Sequence, residues 1–269
     1  MSAANRSFIW YELMTSNAEA ARAFYHAVFG WEARPAGVPG IDYTLLSAAG
    51  RDVGGLFPLS AMGCDGGDAP ADMRSCWLGY VASPDVDDDA RRIAAAGGRV
   101  LKEPTDIPGV GRFAVVADPH GAVFQVMTGT SGEAFTPVPD WTPGHFNWHE
   151  LSANDGNAAW QWYSGLFGWT EQEVMDMGPA GTYRIFSTGR GPCGGMLTRT
   201  PEMPAPMWLF YVCVPDVDAA IARTIAGGGT HLMGPHEVPG GAWIATFLDP
   251  QGAMFAVVGG RAGGPECKG

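Results

Sequence analysis

Two pairs of residues in this sequence combine an aromatic ring with a carboxylate on one side of a predicted strand. Trp10 and Glu12 lie two positions apart, as do Trp148 and Glu150, and such side chains point to the same face of a strand. An indole that excludes water from a carboxyl group raises its pKa, which suits a general base. We therefore take Glu12 and Glu150 as candidate catalytic residues.

Three further side chains are expected on the same faces. Tyr43 and Tyr183 belong to the predicted second strands of the two halves, and Gln125 belongs to the last strand of the first half. Aromatic walls with a few polar groups are the usual composition of a small-molecule pocket. The candidate ligand-binding residues are therefore Trp10, Tyr43, Gln125, Trp148 and Tyr183. The sequence also allows a second interpretation, in which the two tryptophans fill the predicted pockets and the two glutamates accept hydrogen bonds from backbone or arginine groups.

These residues belong to an internal repeat. Residues 8–31, FIWYELMTSNAEAARAFYHAVFGW, recur 138 positions later as FNWHELSANDGNAAWQWYSGLFGW. A repeat of this length in a chain of 269 residues predicts two domains rather than one. The predicted boundaries are a first domain at 1–130, a linker at 131–144, a second domain at 145–260 and a flexible tail at 261–269.

The elements that carry the candidate residues follow from local signals. Asn17 is expected to cap a helix whose apolar stripe is Ala21, Phe24, Tyr25 and Val28, and Gly30 is expected to end it. The first half is predicted as β-α-β-β, a Gly/Pro/Asp-rich loop after Pro58, then β-α-β-β-β. Its last hairpin turns at residues 118–121, DPHG, a type I turn sequence. The second half repeats these signals with a shorter loop.

Composition limits the partners. The net charge is −12 and the pI is near 4.8, which argues against nucleic acid or an anionic membrane, since both need clustered Lys and Arg. The five cysteines form no CxxC pair, and neither a signal peptide nor a membrane-length apolar run is visible. We expect a cytoplasmic, reduced protein with a small-molecule partner, as a monomer or homodimer.

The motifs resemble those of the vicinal oxygen chelate superfamily, which includes glyoxalase I, bleomycin resistance proteins and extradiol dioxygenases. The resemblance rests on the helix ending FYxxxFGW, the PDVD helix start and the DPxG turn, each present twice or in close variants. It implies an α+β fold of two tandem domains. Each domain would be a pair of βαβββ modules that forms a U-shaped mixed sheet with helices outside.

The resemblance also implies where a divalent metal would be bound. Relatives use His, Glu or Gln from the first strand and a late strand of each module. The matching positions here are Trp10, Gly55, Leu78, Gln125, Trp148, Gly195, Leu209 and Ala256. Among these only Gln125 offers a ligand atom, whereas a bound transition metal needs at least three. We predict no metal ligands and no cofactor. A one-residue displacement of the strand register would bring Tyr11 and His149 to the first-strand positions, and these would still not assemble a metal site.

The predicted function is that of a glyoxalase/bleomycin-resistance-like protein. It would bind a small aromatic or apolar molecule in a Trp/Tyr-lined cleft without metal. One alternative is a lyase, isomerase or dioxygenase-type enzyme that uses a divalent metal or takes Glu12 or Glu150 as general base. Another is a non-catalytic structural or regulatory member with filled clefts. The sequence leaves open whether any reaction is catalysed.

Overall fold

The computed structural model describes residues 6–61, 73–129 and 139–261. The predicted loop after Pro58, the linker at 131–144 and the C-terminal tail lie wholly or partly outside these residues, as do residues 1–5. Cys64 and Cys267 lie outside them as well.

The described residues of the first half form eight strands and two helices. They are β1 (Phe8–Thr15), α1 (Ala18–Phe29), β2 (Glu32–Pro35), β3 (Thr44–Ala48), β4 (Arg51–Pro58), β5 (Cys76–Ala82), α2 (Val86–Ala95), β6 (Arg99–Ile107), β7 (Gly111–Ala117) and β8 (Val123–Gly129). In the described part of the second half the same order recurs, with one added 3-10 turn at Gly178–Ala180. Its elements are β9 (Phe146–Ala153), α3 (Gly156–Phe167), β10 (Thr170–Asp176), β11 (Thr182–Ser187), β12 (Pro192–Thr198), β13 (Met207–Val214), α4 (Val217–Ala226), β14 (Thr230–Glu237), β15 (Trp243–Leu248) and β16 (Met254–Gly259).

The strands form two eight-stranded mixed sheets with the same topology. Their orders are β2-β3-β4-β1-β5-β8-β7-β6 and β10-β11-β12-β9-β13-β16-β15-β14. β1 runs parallel to β4, and β9 runs parallel to β12, while the hairpin neighbours are antiparallel. The α+β fold built from repeated βαβββ modules is therefore confirmed.

The strand that follows the first helix was missed by the sequence prediction. β2 is exposed along its whole length, and its counterpart β10 is exposed except at Met175. Both are edge strands, and an edge strand without a buried face has no alternation of apolar and polar residues to reveal it. Each half therefore has three strands after this helix where the sequence suggested two.

The first helix begins and ends as predicted. The Asn17 side chain accepts a hydrogen bond from the Ala20 amide at 3.0 Å, and Gly30 takes the left-handed conformation with φ of 73°. The predicted apolar stripe of Ala21, Phe24, Tyr25 and Val28 is buried. No helix among the described residues has both the length and the apolar character needed to cross a membrane.

Spatial contacts divide the chain into two compact units, and each unit draws on both sequence halves. We name each by its central tyrosine. The described residues of the Tyr163 unit are 6–9, 78–129 and 148–209. Those of the Tyr25 unit are 10–61, 73–77, 139–147 and 210–261.

The core of the Tyr25 unit contains a chain of three hydrogen-bonding side chains. Trp77 Nε1 donates to the Tyr25 hydroxyl at 2.9 Å, and that hydroxyl donates to Asp249 Oδ2 at 3.1 Å. The other oxygen of Asp249 accepts the amides of Gln251 and Ala253 in the turn that ends β15. Helix α1, strand β5 and this turn are therefore joined by fully paired polar groups, as burial requires.

The core of the Tyr163 unit repeats this chain. Trp208 Nε1 donates to the Tyr163 hydroxyl at 3.1 Å, and the hydroxyl donates to Asp118 Oδ2 at 3.2 Å. Asp118 also accepts the amides of His120 and Ala122. The turn sequence at 118–121 thus also supplies a carboxylate that receives a buried tyrosine.

We expect Tyr25→Phe to lower the free energy of unfolding by roughly 1–3 kcal/mol, because it leaves the buried Trp77 N–H without its acceptor. Denaturant titration measures this loss. Trp77→Phe removes the same hydrogen bond from the other side, so the double variant should lose less than the sum of the single losses. If the two single losses of unfolding free energy simply added, the hydrogen bond between Trp77 and Tyr25 would be contradicted. Tyr163→Phe should repeat the result in the other unit.

Candidate functional site

The predicted residues of the second half meet in one hydrogen-bonded group, which we call the Trp148 trio (Trp148, Tyr183 and Glu150). Trp148 Nε1 donates to the Tyr183 hydroxyl at 2.8 Å. That hydroxyl donates to Glu150 Oε2 at 3.0 Å. Strand β9 supplies the tryptophan and the glutamate from alternate positions, and β11 supplies the tyrosine. All three side chains are partly exposed.

The first half contains the matching Trp10 trio (Trp10, Tyr43 and Glu12). Trp10 Nε1 donates to the Tyr43 hydroxyl at 2.8 Å, and this hydroxyl also hydrogen-bonds the Glu12 carboxylate. Glu12 is buried, whereas Trp10 and Tyr43 are partly exposed. Tyr43 was predicted within the second strand but lies just before β3. The sequence thus identified both trios without identifying the order of their hydrogen bonds.

Two glycines at the family's metal positions make room for the tyrosines. A Cβ atom on Gly55 would lie 2.0 Å from the Tyr43 hydroxyl, and one on Gly195 would lie 2.1 Å from the Tyr183 ring. Gly55 pairs with Glu12 in β1–β4, and Gly195 pairs with Glu150 in β9–β12. Each tyrosine ring therefore lies over the glycine strand, next to the glutamate on the paired strand. The recurrence of both Tyr and Gly at one common offset was the signal that could have revealed this.

The trios keep their tyrosines protonated. Burial raises the pKa of Tyr43 and of Tyr183 well above the usual value, and the neighbouring glutamate raises it further. The hydrogen bond from tryptophan opposes this shift. Burial also raises the pKa of the Cys76 thiol to about 11, with Glu12 adding to the rise. At neutral pH the two tyrosines and the Cys76 thiol are therefore uncharged.

Gln125 is the seventh predicted site residue. It lies in β8, opposite Tyr80 of β5, and it is only 1% exposed. It belongs to the Tyr163 unit, whereas the Trp10 trio belongs to the Tyr25 unit. The other six predicted site residues are those that form the two trios.

His149 lies on the side of β9 opposite the Trp148 trio. Its ring stacks on Phe8 with centroids 4.5 Å apart, and Nδ1 lies 2.6 Å from the Cys193 carbonyl oxygen. Burial lowers its pKa to about 4, although the Cys193 carbonyl opposes the shift. His149 is therefore a neutral, hydrogen-bonded core histidine.

The fold and the repeat agree with one family. The family model for the Glyoxalase/Bleomycin resistance protein/Dioxygenase superfamily matches residues 7–126 and 143–257. These two segments cover most of the chain, so the chain belongs to this superfamily.

Named relatives align over almost the full chain. The anthracycline biosynthesis protein DnrV of Streptomyces peucetius is 33% identical in an alignment 274 residues long, which covers 97% of this chain and 95% of DnrV. CFP32 of Mycobacterium tuberculosis, which carries a provisional glyoxylase name, is 30% identical over 253 residues, 93% of each chain.

Solved structures share the fold at low identity. The Mn(II)-bound glyoxalase of Novosphingobium aromaticivorans has a TM-score of 0.65 and 17% identity, covering 94% of this chain and 81% of its own. The 2,3-dioxygenase LapB of Pseudomonas sp. KL28 has a TM-score of 0.61 and 12% identity, covering 93% of this chain and 90% of its own. These matches extend the fold assignment and leave the activity open.

The family's metal positions do not fit a divalent ion in this chain. Trp10 and Trp148 offer only an N–H donor, which cannot ligate a cation. Gly55 and Gly195 have no side chain, and the tyrosine rings occupy the space where a ligand would begin. Across the described residues, no three His, Cys, Asp or Glu side chains are grouped to hold an ion.

We expect Gly195→Ala to displace the Tyr183 ring and to break the hydrogen bond from Trp148. The cost should be about 1–3 kcal/mol of unfolding free energy, as for other overpacked sites. Denaturant titration gives the stability, and the tryptophan emission spectrum reports the change near Trp148.

The matched control is Gly165→Ala in helix α3, where a new methyl group meets nothing within 4 Å. It should be neutral or stabilising, because alanine favours a helix over glycine. Tyr183→Ala should relieve the cost of Gly195→Ala if the clash is with that ring. A Gly195→Ala protein as stable as the control would contradict the placement of Tyr183.

His149 predicts a pH dependence of stability. Its pKa of about 4 in the folded chain is below the ordinary value near 6.5, so the unfolded chain binds the proton more readily. The stabilisation is present above about pH 6.5 and is lost as the pH falls towards 4. Between pH 7.5 and 5 the loss from this residue should be about 2 kcal/mol. Denaturant titrations of His149→Gln should show a shallower fall, whereas parallel curves for the two proteins would refute the assignment.

Proposed function

We propose that this protein binds a planar aromatic or otherwise apolar small molecule against its two trios, without a metal ion. The proposal rests on the repeated, partly exposed Trp–Tyr pair whose hydroxyl is fixed by a carboxylate. Two aromatic rings in a fixed relation offer a large contact area at little entropic cost. One polar group beside them suits the orientation of a ligand.

The relatives support the class of ligand. DnrV is named for anthracycline biosynthesis, and a planar fused-ring molecule of that class matches aromatic side chains in shape and chemistry. The net charge of −12 also suits an uncharged organic ligand better than a phosphate-rich one.

Metal independence is supported by the chemistry of the side chains at the family's ligand positions. Among the eight positions only Gln125 offers a ligand atom. The tryptophans, the glycines beneath the tyrosine rings, the leucines and the alanine offer none. The ligand is therefore expected to bind through ring contacts and hydrogen bonds rather than by chelation.

A lyase or isomerase is the second candidate, with Glu150 or Glu12 as the general base. It is favoured by the Tyr183 hydroxyl at 3.0 Å from Glu150, because a carboxylate held by hydrogen bonds is positioned for proton transfer. The glyoxylase name carried by CFP32 points the same way. In this reading the substrate would displace the tyrosine proton donor from the carboxylate before reaction.

We expect 2,6-dihydroxyanthraquinone, a planar tricyclic probe, to quench the tryptophan fluorescence of the protein saturably. The binding should persist in EDTA, because no ion participates. The double variant Trp10→Ala, Trp148→Ala should weaken binding at least about tenfold, as expected when large aromatic contacts are removed.

The control is Trp243→Phe, which alters a tryptophan that packs under Arg261 outside both trios and should leave the affinity unchanged. Loss of binding in EDTA with recovery on adding Zn²⁺ or Mn²⁺ would refute metal independence. Failure of this probe and of naphthalene-based probes to bind at all would refute the proposed function and favour filled clefts.

A further inference from the structure

The hydrogen atoms in each trio have only one consistent arrangement. An indole nitrogen can only donate, so the tyrosine oxygen must accept from tryptophan. The tyrosine donates its single proton to a carboxyl oxygen of the glutamate. The distances of 2.8 Å and 3.0 Å in the Trp148 trio fit both bonds.

This arrangement fixes what the tyrosine oxygen still offers. A hydroxyl oxygen has one proton and two lone pairs. Tyr183 has committed its proton to Glu150 and one lone pair to Trp148. Within the part of the chain that the structure describes, its remaining capacity is one lone pair, which can only accept a hydrogen bond. Tyr43, between Trp10 and Glu12, has the same remaining capacity.

We propose that each trio selects a ligand that donates a hydrogen bond, through a hydroxyl or an N–H group, to its tyrosine oxygen. This inference rests on the proposed function and narrows its ligand class. A carbonyl, ether or carboxylate edge would meet an oxygen that has no proton to give. The adjacent glutamate charge would repel an anionic edge further and would favour the positive end of an O–H or N–H dipole.

The tyrosine cannot easily reverse this preference. To donate to a ligand it must break its hydrogen bond with glutamate, which leaves a partly buried carboxylate with one fewer donor. Nor does it ionise near neutral pH, since burial and the glutamate raise its pKa. The preference for donors should therefore hold across the neutral range.

The two halves carry the same preference independently. The Trp, Tyr, Glu and Gly positions of the first trio all recur in the second, within different units of the structure. A ligand with one donor on an aromatic ring should therefore be accepted by both trios.

The test compares 2-naphthol, which donates a hydrogen bond and is neutral at pH 7, with 2-methoxynaphthalene, which cannot donate. Isothermal titration calorimetry of the full chain should give roughly 5- to 10-fold tighter binding of 2-naphthol, as one hydrogen bond provides. Equal affinities, or tighter binding of the ether, would overturn the donor inference while leaving the proposed function intact. If neither compound bound, both the proposed function and the donor inference would be refuted.

The double variant Tyr43→Phe, Tyr183→Phe tests whether the tyrosine oxygens cause the preference for hydrogen-bond donors. It keeps both rings and removes both hydroxyl groups, so both naphthalenes should still bind while their affinity ratio falls below about twofold. A ratio unchanged from the parent protein would overturn the role of the tyrosine oxygens. Phe substitutions at Tyr25 and Tyr163, whose hydroxyls are fully buried, should leave the ratio as it is in the parent.

Discussion

One chemical constraint organises this protein: a buried tryptophan N–H must find an acceptor, and a buried carboxylate must find donors. A tyrosine hydroxyl satisfies both when it stands between them. The described residues form this Trp–Tyr–carboxylate chain four times. Two chains end on Asp249 and Asp118 in the cores of the units, and two end on Glu12 and Glu150 in the trios. Core and candidate site are thus built from the same interaction.

The core chains explain why each unit combines both halves of the sequence. In the Tyr25 unit, α1 of the first half is joined to the turn of the last hairpin through Tyr25 and Asp249, which are 224 positions apart. In the Tyr163 unit the roles of the halves are exchanged, with Tyr163 meeting Asp118. The repeat predicted two similar halves, and the aromatic and acidic residues within it determine which parts of those halves pack together.

Much of the fold could be predicted because its signals are local. The cap at Asn17, the end of the helix at Gly30 and the turn at 118–121 depend on residues a few positions apart. The edge strand β2 could not be predicted, because it buries no face. The candidate site was predicted as a set of residue types. Its hydrogen-bond order could not be, because Tyr43 lies 33 positions from Trp10 and the space above Gly55 exists only in the folded sheet.

The difference between the two kinds of chain decides which one can serve a ligand. Tyr25 and Tyr163 are fully buried, and the second oxygen of each aspartate is occupied by backbone amides of a turn. A ligand could reach them only by unfolding the core. The trio tyrosines are partly exposed, and each keeps one lone pair among the described residues. The core tyrosines belong to the buried faces of helices α1 and α3, whereas each trio tyrosine lies against a glycine of the sheet. The second placement turns the same hydrogen-bonded chain into a surface that can accept a hydrogen bond from a ligand.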